Sequence, residues 1–256
     1  MPVPCKRVSL WTLLVLGLAS APLLAAEPTE TLVCTGVAKR QDDGKLHANS
    51  REVQKWQGGR IISSTTVWTD ASGKTIARQS ERHGDNAFVP EARYEDLRTG
   101  LLMETGPAPG GKARLALREG KDAKVEHKVV EPDGRVVGMG GLDPFMRATW
   151  ADIEAGKAVE FSLLAPSRLE WYRFRLRKLG DAQLAGRRVV KVAVEPRNAL
   201  IRTLAGDLVL TWDPAAASSV AFRGRDSVDD ADGDGVAVST SYHCVRAPAA
   251  EPAAAN

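Results

Sequence analysis

The chain has 256 residues, of which 43% are hydrophobic and 26% charged. That composition supports a sizeable folded core and excludes a disordered polyelectrolyte. With 35 Lys and Arg against 32 Asp and Glu, the near balance gives no electrostatic case for nucleic acid as a partner.

The first 26 residues read as a secretory signal. Lys6 and Arg7 form a short positive stretch, Val8 to Leu18 is apolar apart from Ser9 and Thr12, and Ala19 to Ala26 is rich in small residues. A membrane span needs about 20 apolar residues, and this run is shorter and followed by Pro22. Cleavage after Ala26 is therefore expected, leaving a chain with no transmembrane anchor, periplasmic or secreted. Lys6 and Arg7 leave with the leader, so 35 basic groups become 33 against an unchanged 32 acids, a formal charge of +1. Cys5 goes too, and Cys34 and Cys244 remain as an even pair in an oxidising compartment, which predicts a disulfide closing the domain end to end.

In chain order, the mature sequence alternates apolar and polar residues between turn signals, the pattern of an antiparallel sheet. Arg60 to Thr69 and Thr75 to Arg82 flank the turn Asp70 to Lys74. Arg93 to Leu97 and Leu101 to Thr105 flank Thr99-Gly100. Lys112 to Glu119 and Lys124 to Val130 flank Gly120 to Asp122. Later strands carry Val159, Phe161 and Leu163, then Tyr172, Phe174 and Leu176, then Val190, Val192 and Val194, then Leu208, Leu210 and Trp212. The last long strand places Val236, Val238, Thr240, Tyr242 and Cys244 on one face. One helix is expected, from Asp143 as N-cap with Pro144 first, to Ala155, ended by Gly156. Phe145, Met146, Trp150 and Ile153 recur on one stripe, with Arg147, Asp152 and Glu154 facing away. The expected fold is mainly β: a large curved antiparallel sheet or unclosed β-barrel with one prominent amphipathic helix. It spans 27–246 as one domain, with 138–141 as the candidate subdivision. The Ala/Pro tail 247–256 is expected to be disordered.

Gly141-Leu142-Asp143-Pro144-Phe145, Pro166-Ser167-Arg168-Leu169 and Tyr172-Arg173-Phe174-Arg175 resemble segments of uncharacterised exported proteins of Gram-negative bacteria. The strand-rich layout with one helix is similar to the unclosed β-barrel of periplasmic lipoprotein carriers. The first resemblance implies no known activity. The second is at the level of fold and brings no site residues with it.

Several motifs fail on their chemistry. Gly106 to Lys112 has P-loop spacing, but Ala113 stands where magnesium needs Ser or Thr, and a strand follows instead of a helix. Asp230, Asp232 and Asp234 match the first half of a calcium loop, but Ser241 occupies the place of the bidentate Glu, so a hairpin connection is the stronger reading. Arg173, Arg175 and Arg177 form a basic stripe that suits envelope phosphates or carboxylates; the competing reading is a solvated face with acidic cross-strand partners. His47, His83, His127 and His243 show no ligand spacing and are expected mostly at the surface. No metal, cofactor or catalytic residue is expected. Phe145, Met146, Trp150, Trp171 and Trp212 are the candidates for lining an apolar cavity between helix and sheet. The function these features suggest is a non-enzymatic envelope protein that binds a lipid or other apolar ligand in a concave sheet. The alternatives are a hydrolase-like enzyme with dispersed site residues, and a structural or assembly factor with a protein partner. Convergent carboxylates or a His–acid pair in the cavity would count toward the enzyme.

Overall fold

Alternation and turn chemistry build nearly all of the molecule. The computed structural model describes residues 30–198 and 208–247; the expected leader at 1–26 and the expected tail from 248 lie outside them. The strands are β1 (Glu30–Arg40), β2 (Leu46–Gln57), β3 (Arg60–Thr69), β4 (Thr75–Arg82), β5 (Glu91–Asp96), β6 (Leu102–Pro107), β7 (Ala113–Arg118) and β8 (Glu126–Val130). A two-residue strand β9 (Val136–Val137) leads into helix α1 (Leu142–Glu154). Then come β10 (Val159–Ala165), β11 (Glu170–Leu184), β12 (Arg187–Pro196), β13 (Val209–Asp213), β14 (Ser218–Arg225) and β15 (Ala237–Ala247). Ala247, expected to begin the tail, is thus the last residue of a strand.

The strands form one 15-stranded sheet made of two meanders. β1 to β8 pair each with the next, and so do β10 to β15; antiparallel pairing of β1 with β15 joins the two halves. Among the described residues only β9 and β10 pair in parallel. The sheet is not closed into a barrel: β8 and β9 are its two ends. It curls until the ends meet through side chains. Ala113, Leu115 and Val130 pack with Leu164, Leu169 and Trp171, and Lys128 pairs with Glu170 at 3.1 Å. Curling of this kind shields edges that would otherwise invite pairing with another chain.

The turn between β3 and β4 shows why the hairpin ends where it does. Asp70 Oδ1 accepts from the Ser72 backbone N–H at 2.9 Å and the Lys74 N–H at 3.1 Å, an Asx-type turn that fixes the reversal. The GxxxxGK stretch is likewise a hairpin tip: a short 3₁₀ turn at Pro109–Gly111 sits between β6 and β7.

Helix α1 starts two residues earlier than its sequence implies, and its N-cap is Gly141 with no side-chain cap. Asp143 lies inside the first turn, where its Oδ1 accepts from Ser219 Oγ at 3.0 Å. Its partner is thus on β14 rather than on the helix's own backbone. Gly156, at φ 79°, ends the helix as its position suggests, donating to Ile153 O at 2.9 Å. Phe145, Met146 and Ile153 are fully buried against Val159, Phe161, Phe174, Leu176, Val190, Val192 and Trp212. This is the main core, between the helix and strands β10 to β13. Each such side chain contributes about 1.5–3 kcal/mol on burial.

Cys34 and Cys244 face each other across the β1–β15 seam, Cα to Cα 4.0 Å, and form a disulfide. The first and last strands of the described chain are thereby bonded at the point where the two meanders join.

Candidate functional site

Helix α1 packs over only one half of the sheet. The other half curls around an open interior of about 640 Å³, within the size of small-molecule sites. Period-two alternation decides what lines it. Leu32, Cys34 and Ala38 of β1 face inward, with Ala48, Ser50, Glu52, Gln54 and Trp56 of β2. Thr66 and Trp68 of β3, Gln79 and Glu81 of β4, and Thr240 and Tyr242 of β15 continue the wall. Leu142, Asp143 and Arg147 of the helix, with Leu163 and Leu164 of β10, face them. Gly36 lets two of these walls approach: a Cβ there would stand 3.0 Å from the Tyr242 ring and 2.3 Å from Ser50 Oγ. Gly140, at φ 72°, leaves room for the Glu81 carboxyl, which a Cβ would meet at 2.2 Å.

Polar groups lie within this apolar wall, and each acid has its own donors. Glu52 Oε1 accepts from Gln54 Nε2 and Ser64 Oγ, both at 2.8 Å. Gln54 Oε1 in turn accepts from Trp56 Nε1 at 3.0 Å. Glu81 accepts from Gln79 Nε2 at 2.5 Å and meets His83 Nε2 at 3.2 Å. His83 Nδ1 lies 3.1 Å from the Ala87 carbonyl. A carbonyl can only accept, so Nδ1 carries a hydrogen, and the bond to Glu81 requires a second proton between ring and carboxyl. Burial pushes the Glu52 carboxyl above the usual carboxylate range, against the bonds from Gln54 and Ser64, with the charge of Glu81 adding to the rise. Burial raises Asp143 as well, and the Arg147 guanidinium offsets part of the rise. Deeper along the wall, burial also raises Asp226, countered by His47 at 3.8 Å. Tyr242 is raised by burial and by the surrounding acids.

Arg147 was expected to face away from the core stripe, and it does, but toward the cavity rather than solvent. Its guanidinium stacks over Trp56, Cζ 4.5 Å from the ring centroid. Its Nε is buried without a hydrogen-bond partner. Desolvation lowers its pKa, opposed by Asp143, yet a guanidinium stays charged.

The five side chains expected to line a cavity fill the core instead. None of Phe145, Met146, Trp150, Trp171 and Trp212 lines this cavity; Trp171 borders a separate surface pocket with Tyr172 and Arg173. Trp150 stacks on Trp212 at 5.7 Å, and Trp171 helps join the two sheet ends. The helix stripe is satisfied by β10 to β13, so the open space is on the helix's other flank. The basic stripe is paired: Arg173 with Asp133, and Arg175 and Arg177 both with Glu195 across the strand. Asp230 turns its carboxylate onto the backbone N–H groups of Asp232 and Asp234, at 3.0 and 2.9 Å. Among the described residues no group of three His, Cys, Asp or Glu is placed to hold a metal ion. The histidines divide evenly: His127 and His243 are exposed, while the side chains of His47 and His83 are 5% and 0% exposed.

No family model and no curated protein matches the chain. Among solved structures it is similar to a β-barrel-like protein of the domain of unknown function DUF1849 from Brucella abortus. That likeness has 10% identity and a TM-score of 0.49, over 88% of this chain and 99% of the other. A DUF1329 family protein from Desulfovibrio piger aligns at 8% identity and TM-score 0.30, over 89% of this chain and 88% of its own. A putative outer membrane lipoprotein-sorting protein domain from Vibrio parahaemolyticus aligns at 10% and 0.27, over 88% and 87%. Among the described residues no helix is long and apolar enough to cross a membrane.

Proposed function

We propose that this is an exported envelope protein that binds the apolar part of a lipid or another amphiphile in the interior of its curled sheet. The observation that carries the reading is the cavity itself, about 640 Å³ and walled by Leu32, Ile61, Trp56, Trp68, Met103 and Leu163. Apolar surface left open inside a fold is a standing cost that a ligand removes. The amino-terminal signal pattern supports an envelope location, where amphiphiles are plentiful. Native mass spectrometry of the protein purified from its own periplasm tests this. A retained adduct in the mass range of a lipid is expected, and an adduct-free spectrum from gentle extraction would contradict it.

The Glu81–His83 pair beside Glu52 and Asp143 is the feature that favours a hydrolase-like reading. Both nitrogens of His83 are already committed, to Ala87 and to Glu81, so neither is open to take a proton from a nucleophile. The pair fixes the wall in place, which suits a binding role.

A further inference from the structure

A buried charge without a partner is costly, and proteins tolerate it where something else completes it. Arg147 is a half-buried charge of this kind, attracted by Asp143 but not joined to it in an ion pair. It projects from α1 into the cavity; no salt bridge joins it to a carboxylate among the described residues, and its Nε has no hydrogen-bond partner. The nearby acids are engaged elsewhere: Asp143 with Ser219, Glu52 with Gln54 and Ser64, Glu81 with Gln79 and His83. Arg225, the other guanidinium of the wall, is paired with Asp229 at 3.4 Å. Trp56 lies against the Arg147 guanidinium, Cζ 4.5 Å from the ring centroid, at the cavity wall that both residues line.

We propose that Arg147 anchors the anionic head of the ligand, a carboxylate or phosphate held by the guanidinium fork, with the ligand's chain lying along Trp56, Ile61 and Leu32. This rests on the cavity reading above and adds the chemistry of the head. A planar guanidinium matches two oxygens of either group at once. Burial favours the neutral forms of Glu52 and Asp143, so the repulsion an anion would meet from them is reduced.

The test is a head-group series with one constant chain: oleate, 1-oleoyl lysophosphatidylglycerol, oleyl alcohol and oleylamine. Each is titrated into delipidated protein by displacement of a fluorescent polyene fatty acid. Oleate or the lysophospholipid is expected to bind at least tenfold tighter than the alcohol, a difference of about 1.4 kcal/mol, and oleylamine no tighter than the alcohol. The tighter of the two anions identifies carboxylate or phosphate as the head. Arg147→Gln is expected to erase the preference while binding the alcohol within about threefold of the unsubstituted protein. Retained alcohol binding also shows that the variant is folded. Arg147→Lys should keep part of the preference, because it keeps the charge and loses the fork. Alcohol or amine binding equal to both anions overturns the proposal without any variant, as does a preference that survives in Arg147→Gln. Failure of all four compounds to bind would instead overturn the cavity reading itself.

Discussion

Replacing both bridging cysteines by alanine isolates what the β1–β15 seam owes to its covalent bond. Cys34 and Cys244 are 210 residues apart in sequence, so the bond closes a very long loop in the unfolded chain. The chain-entropy relation gives about 5 kcal/mol for such a loop. The native side loses less. Ten residue pairs align β1 with β15, and β1 also pairs along its length with β2, so the seam stays hydrogen-bonded. The sulfurs leave gaps among Leu32, Trp56 and Ile61, costing about 1 kcal/mol each. Residual structure in the unfolded chain works against the entropic term. The net expectation for Cys34→Ala/Cys244→Ala is a loss of about 3–6 kcal/mol, a large part of a domain stability of about 5–15 kcal/mol. Urea unfolding followed by tryptophan fluorescence measures it. The slope should also rise, because the uncrosslinked chain exposes more surface. A loss under about 1 kcal/mol with an unchanged slope would refute the reasoning and mean that the seam's pairing alone holds the chain ends.

The main core and the cavity wall give further expectations. Phe145 is fully buried, edge-on to Phe88 at 5.4 Å and beside Phe161 at 5.2 Å; Phe145→Ala should cost about 3–5 kcal/mol, read from the same urea curves. Gly140→Ala adds a Cβ at φ 72° and 2.2 Å from the Glu81 carboxyl carbon; where a strain-free Gly-to-Ala change stabilises by up to about 1 kcal/mol, this one should destabilise by more than that amount, visible as a lower melting temperature. Glu52 is an acid whose folded pKa is raised above its ordinary 4.5, so the folded state binds the extra proton. Its contribution is therefore unchanged below about pH 4 and turns unfavourable as pH rises from there through the folded value. Glu52→Gln should remove that fall, matching the unsubstituted protein in acid and exceeding it at neutral pH; Asp143 and Asp226 shift in the same direction and leave a residual slope in the variant.

The fold was legible where one residue type settles one geometry. Arg60–Thr69 and Thr75–Arg82 were bounded correctly from sequence because Asp70 and Gly73 punctuate a run of β-branched residues. The cysteines were paired correctly because an up-and-down sheet that curls brings its first and last strands together. Helix α1 was found by its apolar stripe, but its start was misplaced, since Asp143 looks like a cap and in fact reaches Ser219 on a distant strand. The lining of the cavity was missed for a more general reason. Ser50, Glu52 and Gln54 alternate like the solvent face of a strand, and Arg147 lies on the polar side of its helix. Periodicity separates two faces but does not say whether the polar one meets bulk water or an enclosed interior. A sequence signal did exist: Trp56 continues the same face as Glu52 and Gln54, and an aromatic residue in register with a polar row marks a wall rather than an exterior.

Quenching by a brominated fatty acid tests most directly whether a chain enters this cavity, because it reports position as well as binding. Trp56 and Trp68 line the interior, whereas Trp150, Trp171 and Trp212 do not. Bromostearate added to delipidated protein should quench a saturable share of the emission. That share should disappear in Trp56→Phe/Trp68→Phe and persist when Trp171 is replaced by Phe. Quenching that is unchanged in the double variant, or absent from the unsubstituted protein, would contradict ligand binding in the curled sheet.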